Sequence, residues 1–240
     1  MNQLAQQTLA SIVTENHQSV AVLEKHHLDF CCKGKRTLTD ACMEKGLSVE
    51  QLLKELNEVK GTESSTALPF TEMNGEQLIN YILIHHHHYV KEIMPVIAGH
   101  LEKVANKHGE RYPYMIKVFQ LFTAIQEEMT LHMHKEEVIL FPRIKEMEQV
   151  FILHQKTKLA PGYIKGPVNI METEHEHAGE LLYEIRQLTD NFTPPVDACT
   201  TFKVCLEELK AFENDLHKHV HLENYLLFPL AEKIMENIRA

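Results

Sequence analysis

Apolar residues recur every three or four positions along most of the chain, which is the period of an amphipathic α-helix. In the larger, second part of the chain this pattern predicts helices near residues 76–106, 113–147, 167–190 and 197–237. Turn-forming residues break the pattern at GPV (166–168) and TPP (193–195), and residues 148–166 form a long connection between the two halves. We therefore predict an all-α fold, an antiparallel four-helix bundle over residues 75–240.

A smaller helical unit is predicted before the bundle. Its apolar pattern predicts helices near residues 3–15, 17–26 and 48–59, with Ser48 capping the last one. The stretch NEVKGTESSTALPFTEMNG then collects Gly, Ser, Thr and Pro, which is typical of a linker. We therefore divide the chain into a small helical domain (1–62), a linker (63–74) and the bundle (75–240).

One motif occurs twice in the predicted bundle. HMHKEEVILFP begins at His132 and HVHLENYLLFP begins at His219, 87 positions later, with six of eleven positions identical. Each copy places a Glu four residues after a His, so both side chains lie on one helix face. The spacing alone is weak evidence for a metal site, because His88 and Glu92 share it. The repeated flanks, on the second and fourth helices, indicate an internal duplication.

A duplication also predicts one matching histidine on the first and third helices. The third helix offers His175, whereas the first contains four consecutive histidines. Helical phase places His87 on the same side of the apolar stripe as His175, and places His88 toward solvent. His86 is the next ligand candidate, and its counterpart in the second half is Glu174.

The predicted donor set is His87, His132, Glu136, His175, His219 and Glu223. Burying such groups in a bundle is costly unless they are paired or bind metal. A hydrogen-bonded His/Glu network or a solvated face is the alternative, but neither explains the two-fold repetition. Four imidazoles and two carboxylates suit iron, manganese or zinc. If both glutamates bridge two metals, positions stay open on each metal, which favours iron over tetrahedral zinc.

Composition and charge restrict the classes of partner that the chain is expected to bind. The chain has 24 Lys and Arg against 34 Asp and Glu, a net charge of −10, which opposes binding to nucleic acid or anionic lipid. No segment approaches the roughly 20 apolar residues of a membrane helix, and the N-terminus lacks a signal-peptide pattern. Five cysteines, two of them adjacent, do not form a disulfide framework. We expect a cytoplasmic protein without nucleic-acid or membrane partners.

The repeated motifs, together with GPVNIMETEHEHAGELL, resemble those of the Repair of Iron Centres family of hemerythrin-like di-iron proteins. LDFCCKGKRTLTDAC (28–42) is similar to the short N-terminal domain of that family. The resemblance covers nearly the whole chain and matches all six predicted donors. The visible departures are the four-histidine run and the added His134, His177 and His221, whose roles stay open.

This resemblance implies two Fe ions per chain in an oxo- and carboxylate-bridged di-iron centre. It implies repair of iron–sulfur clusters after nitrosative or oxidative damage, by supply of iron or redox chemistry. Damaged iron–sulfur proteins, NO or O2 are the implied partners, with a homodimer as a possible assembly. The alternatives are reduction of nitric oxide at the centre, or a dioxygen carrier or an iron sensor.

The adjacent Cys31 and Cys32 precede the basic stretch KGKR. Nearby cations lower a thiol pKa, which favours a redox or iron/sulfur-transfer role for the pair. The alternative is that both pack in a small core, as free cysteines commonly do. We predict packing for Cys42, Cys199 and Cys205.

Overall fold

Helices dominate the computed structural model, which describes residues 3–60, 69–160 and 162–239. Its N-terminal helices are α1 (Leu9–Glu15), α2 (Ser19–Lys25), α3 (Leu38–Lys45) and α4 (Val49–Lys60). Its later helices are α5 (Gly75–Ile82), α6 (His88–His108), α7 (Tyr114–Lys135), α8 (Phe141–Ile152), α9 (Lys165–Leu188), α10 (Thr200–Leu222) and α11 (Phe228–Ile238). None of these helices combines the length and apolar character that a bilayer-crossing segment needs.

Polar side chains cap the starts of α1, α3 and α4 in the N-terminal unit. The Ser48 hydroxyl accepts a hydrogen bond from the backbone N–H of Gln51, which confirms the predicted cap of α4. Helix α3 was not predicted. Its local signals are Thr37, which accepts from the N–H of Asp40, and Gly46, which ends the helix at φ +66°.

The predicted linker (63–74) lies outside the described residues as far as residue 68. Its described part is folded: Phe70–Glu72 form a short 3₁₀-helix, and the ring of Phe70 lies 5.3 Å from that of His17. The side chain of Asn74 then caps α5 together with Gln77. The division of the chain at residues 63–74 stays a prediction.

Three π-turns join the helices of the bundle end to end. They are Leu83–His87 between α5 and α6, Glu136–Leu140 between α7 and α8, and Glu223–Leu227 between α10 and α11. In the two repeated motifs a proline lies two residues after the end of the π-turn, Pro142 or Pro229. A proline ring clashes with the carbonyl four residues earlier in a regular α-helix, and the wider π-turn relieves that clash. The four bundle helices predicted from the pattern are thus present in the described residues.

The bundle buries two apolar clusters, one on each side of a polar layer. The first cluster contains Met129 and Met133 of α7, just before the π-turn of that helix. The second contains Leu140, the last residue of the same π-turn, and Phe141, which follows it. The layer between the clusters therefore coincides with the π-turns.

The N-terminal unit shares the first apolar cluster with the bundle. Leu9, Leu23 and Phe30 lie in the same buried cluster as Leu182 of α9 and Leu216 of α10. Burial of apolar surface contributes roughly 25 cal/mol for each Å² removed from water. The first unit and this half of the bundle therefore stabilise each other.

A buried ion-pair network crosses the same contact. Arg186 of α9 donates from Nε to both carboxylate oxygens of Glu213 at 3.1 Å, and the Nδ1 atom of His217 lies 2.5 Å from the Glu24 carboxylate. A second guanidinium nitrogen of Arg186 meets the ring of His27. Since Glu24 and His27 belong to the N-terminal unit, the network ties that unit to α9 and α10.

We expect Arg186→Met to destabilise the protein by about 3–5 kcal/mol, because it leaves the Glu213 carboxylate buried without its partner. Urea unfolding measures the change. The matched control is Lys117→Met, which removes an exposed 3.6 Å ion pair with Glu184 and should cost at most about 1 kcal/mol. Equal losses from the two single variants would contradict the prediction, whereas the double variant Arg186→Met/Glu213→Leu should recover most of the stability.

Candidate metal centre

All six predicted donor residues meet in the polar layer of the bundle. Each of them is at most 1 % exposed: His87, His132, Glu136, His175, His219 and Glu223. Their donor atoms form two groups of four, each with all atoms within 4.8 Å of one another. One group contains His87 and His219, and the other contains His132 and His175. Both glutamates belong to both groups, which is the arrangement that two bridging carboxylates would have.

Within each group the two histidines point their Nε2 atoms at each other. The Nε2 atoms of His132 and His175 lie 3.0 Å apart, and those of His87 and His219 lie 3.2 Å apart. Two nitrogen ligands at right angles on an ion, each about 2.1 Å away, are themselves about 3.0 Å apart. The pairs are therefore spaced like neighbouring ligands of one metal ion.

The glutamates occupy the space between the two histidine pairs. One oxygen of Glu136, Oε2, lies 3.3 Å from the Nε2 atoms of both His87 and His132. Glu223 uses both oxygens, with Oε1 3.1 Å from His219 and Oε2 3.2 Å from His175. Each carboxylate therefore contacts one histidine of each group.

Outer side chains fix the orientation of three of the four imidazoles. The Nδ1 atom of His87 lies 2.8 Å from Glu137, that of His132 lies 2.9 Å from Glu174, and that of His175 lies 2.9 Å from the amide oxygen of Asn224. With the proton assigned to Nδ1 in each case, the lone pair at Nε2 points into the centre. Such outer partners are usual for metal-binding histidines.

Several buried oxygens in this layer have no hydrogen-bond donor among the described residues. They are both carboxylate oxygens of Glu136 and Oε2 of Glu223. The two Oε2 atoms meet histidine nitrogens at ion-pair distance but not in hydrogen-bond geometry. Buried carboxylates without donors are costly. Bound cations would satisfy these oxygens and also separate the facing Nε2 lone pairs, so the donor set fits metal ions.

In the metal-free protein the surrounding groups hold His132 and Glu223 in their charged forms, whereas burial lowers the pKa of His219. Burial opposes the charge of His132, but Glu136 and Glu174 outweigh it and raise the pKa of that imidazole to about 10. Burial likewise opposes the charge of Glu223, but His219 and His175 hold its pKa well below the ordinary value. Protons therefore occupy a site whose donors suit a cation.

The π-turns supply three of the six donors and were not foreseen from the sequence. His87 ends the first turn, and Glu136 and Glu223 begin the other two. The Leu-Phe-Pro that closes each repeated motif begins at the last residue of the π-turn, and α8 and α11 continue beyond it. Its proline is the local signal that could have indicated a widened turn.

The remaining histidines of the motifs fall into two kinds. His88, His134 and His177 are exposed, as phase and spacing predicted for His88. His86 is buried; its Nδ1 atom lies 3.0 Å from Asp215, and its ring stacks on that of His219 at 5.6 Å. His221 is buried too, but it contacts Thr14 of the N-terminal unit at 3.4 Å and stays outside both donor groups.

The two adjacent cysteines lie directly beside His175. The thiol of Cys32 is 3.6 Å from the backbone carbonyl of His175, and the amide of Asn224 donates to the carbonyl of Cys31 at 3.4 Å. The expectation that the basic stretch lowers the thiol pKa is wrong for Cys31. The hydrogen bond with Cys32, together with burial, raises the pKa of Cys31 well above its ordinary value.

The other three cysteines pack, as predicted, against the first apolar cluster. Cys42 and Cys205 are fully buried, and Cys199 is half-buried. Cys199 has an additional polar contact, since its sulfur lies 3.2 Å from the Nε2 atom of His108.

The fold and the buried donor set define a cation-binding helical-bundle protein. Residues 78–231 match the family described as the hemerythrin HHE cation binding domain, and residues 5–60 match a domain of unknown function, DUF542. The chain belongs to the hemerythrin HHE family and, within it, to the Repair of Iron Centres proteins.

Similar proteins carry both parts of the chain. The iron-sulfur cluster repair protein YtfE of Yersinia pseudotuberculosis serotype IB (strain PB1/+) is 34 % identical over 225 residues, covering 94 % of this chain and 96 % of that protein. The protein of the same name from Enterobacter sp. (strain 638) is 33 % identical over the same coverage.

We expect metal binding at neutral pH to release about one to two protons per chain, because the pKa values of His132 and His87 are raised in the metal-free protein. Titration calorimetry in buffers of different ionisation enthalpy measures the release. His134→Ala, which alters an exposed histidine on the same helix, should leave it unchanged. A binding heat independent of the buffer would contradict the prediction.

The same raised pKa makes the stability of the metal-free protein depend on pH. The contribution of His132 is complete below its ordinary pKa of 6.5 and is lost as the pH rises through about 10. Chemical unfolding across this range should therefore show the wild-type protein losing more stability than His132→Ala. Parallel pH profiles for the two proteins would be the contrary result.

Proposed function

We propose that the chain binds two iron ions through its six buried donors and uses them to repair damaged iron–sulfur clusters. The observation that carries the proposal is the sharing of Glu136 and Glu223 between two groups of histidines. One ion per group then has two imidazoles and two carboxylates as ligands. The relatives that share both parts of the chain are named iron-sulfur cluster repair proteins, which supports the repair role.

Iron suits this donor set better than zinc. Structural zinc is closed by four ligands in tetrahedral geometry, which places two nitrogens about 3.3–3.4 Å apart, whereas the 3.0 Å between the Nε2 atoms of His132 and His175 is the separation of ligands at nearly right angles. Iron accepts more than four ligands, so an iron ion held by the four donors of one group would have positions left for exogenous ligands. Iron held there would supply ferrous ions and one-electron redox chemistry to a damaged cluster.

The surrounding residues have distinct tasks in this proposal. Glu137, Glu174 and Asn224 hold three imidazoles with Nε2 toward the centre. The apolar clusters above and below the layer exclude water from the carboxylates. Lys135 pairs with Glu174, and Lys91 lies 2.6 Å from Glu137. These outer carboxylates therefore stay ionised, which keeps the Nδ1 protons on the imidazoles that they contact.

The open positions also suit small diatomic ligands, so we propose NO and O2 as molecules that reach the centre. A separate reduction of nitric oxide is the second candidate, favoured by two adjacent ions sharing the same carboxylates. Anaerobic mixing of the ferrous protein with NO, followed by gas analysis, distinguishes the two. Release of about one nitrous oxide and one water per chain, as two ferrous ions each give one electron and two protons are taken up from solvent, would support reduction, and a stable nitrosyl adduct would exclude it.

Metal content tests the centre. We expect protein purified without added metal to contain two irons per chain, with Mössbauer spectra of a coupled pair. His132→Ala and Glu223→Ala should lose most of this iron, because each removes a buried donor. His177→Ala, an exposed histidine on α9, should retain it. One zinc per chain, or full iron in both donor variants, would refute the proposal.

Repair activity tests the function. The iron-loaded protein should restore the activity of an enzyme whose iron–sulfur cluster was damaged by NO, faster than the same amount of free ferrous iron does. Glu223→Ala should fall to the rate of free iron, since it removes a ligand shared by both groups. Recovery no faster than with free iron, for protein containing two irons, would reject repair while leaving the metal centre intact.

A further inference from the structure

A second cluster of possible metal ligands lies in the N-terminal unit, apart from the six central donors. Donor atoms of Asp29, Cys31 and Cys32 all lie within 4.8 Å of one another. The two sulfurs are 3.7 Å apart, and Oδ1 of Asp29 is 3.4 Å from the sulfur of Cys31. These distances can be compared with those that a bound ion would impose.

Tetrahedral coordination reproduces the observed separations. Two thiolates on such an ion, each about 2.3 Å from it, are about 3.8 Å apart. A thiolate and a carboxylate oxygen, at about 2.3 and 2.0 Å from the ion, are about 3.5 Å apart. The separations of 3.7 and 3.4 Å already match both values. A disulfide, in contrast, would need the two sulfurs at about 2.05 Å.

The backbone holds the cluster in place before any ion binds. Oδ1 of Asp29 accepts hydrogen bonds from the backbone N–H groups of Cys31, Cys32 and Lys33, at 2.9 to 3.2 Å. The carbonyl of Cys31 is held by Asn224, which also contacts His175 of the central layer. The three donors are therefore preorganised next to a residue of the di-iron centre.

A small cavity leads from this cluster outward. Its volume is about 80 Å³, and it is lined by Cys32, Lys35, Glu172, Glu176, Asn224 and Tyr225. This is room for a water or an exchangeable ligand beside Cys32. Two glutamates in the wall also favour the approach of a cation. The cluster thus offers three protein donors and an accessible fourth position.

We propose that Asp29, Cys31 and Cys32 form a third cation site that takes a thiophilic divalent ion in tetrahedral coordination. Binding forms two metal–thiolate bonds and releases the two thiol protons to water. The fourth ligand comes from the cavity and can be exchanged. The site could hold ferrous iron on its way between the centre and a cluster protein, and this role rests on the proposed function. Metal binding by the three residues does not depend on that function.

Cobalt(II) is a suitable probe, because thiolate coordination gives it an intense charge-transfer absorption. We expect the reduced full-length protein to bind three Co²⁺ per chain, with this absorption developing for one of them. Cys31→Ser and Cys32→Ser should bind two ions and lose the absorption. Asp29→Asn keeps the Oδ1 acceptor that orders the turn, so it should fold normally and still bind the third ion more weakly. The weakening should be at least the roughly 10- to 100-fold that losing an outer partner costs.

Two controls separate this site from the central one. Cys199→Ser, which removes a half-buried thiol outside the cluster, should keep all three ions and the absorption. His132→Ala should lose central ions but keep the thiolate absorption. The absorption therefore reports on the Asp29, Cys31 and Cys32 site even if the di-iron proposal fails. Two Co²⁺ per chain without thiolate absorption in reduced wild-type protein would overturn the proposal. Unchanged absorption in Cys31→Ser and Cys32→Ser would overturn it as well.

Discussion

The burial of two carboxylates, three of whose four oxygens have no hydrogen-bond donor among the described residues, is the constraint on which the rest of this structure depends. Glu136 and Glu223 lie in the middle of a helical bundle, where an ionised group needs compensating charge. His87 and His132, whose pKa values are raised, supply that charge as protons when no metal is present, and bound cations would supply it instead. The helices must therefore bring six polar side chains to one layer while keeping apolar clusters on both sides of it.

Meeting that constraint explains the irregular parts of the bundle. A regular α-helix repeats every 3.6 residues, so a donor and the apolar residues following it cannot all point inward without a local change of phase. Each π-turn adds that change at the layer, next to His87, Glu136 or Glu223. The third helix, which contributes only His175, is α-helical throughout. Irregularity thus occurs at three of the four places where the chain supplies donors.

Much of this arrangement could be predicted because the motif that contains the His and Glu residues occurs twice in the sequence. Repetition of the His and Glu positions selected the donors, and helical phase distinguished His87 from His88. The hydrophobic pattern did not reveal the π-turns, since periodicity does not register one extra residue in a turn; the proline of each repeated motif was the local signal for two of them. The behaviour of Cys31 was mispredicted for a related reason: the charges of KGKR are visible in the sequence, but its burial beside Cys32 is a tertiary property. Helix α3 was not predicted because it is short and only its capping residues, Thr37 and Gly46, indicate it in the sequence.

The duplicated halves are equivalent in their donors but not in their surroundings. His132 and His175 each have an outer partner, and the N-terminal unit lies against His175 through Cys32 and Asn224. In the other group, Nδ1 of His219 has no hydrogen-bond partner among the described residues, and its ring stacks on His86 instead. An imidazole without an outer acceptor is a weaker and less firmly oriented ligand. The two ions proposed here should therefore differ in affinity, with the firmer ligands beside the cysteine pair. The duplication provides a symmetric set of donors, and the N-terminal unit breaks that symmetry on the side of His175.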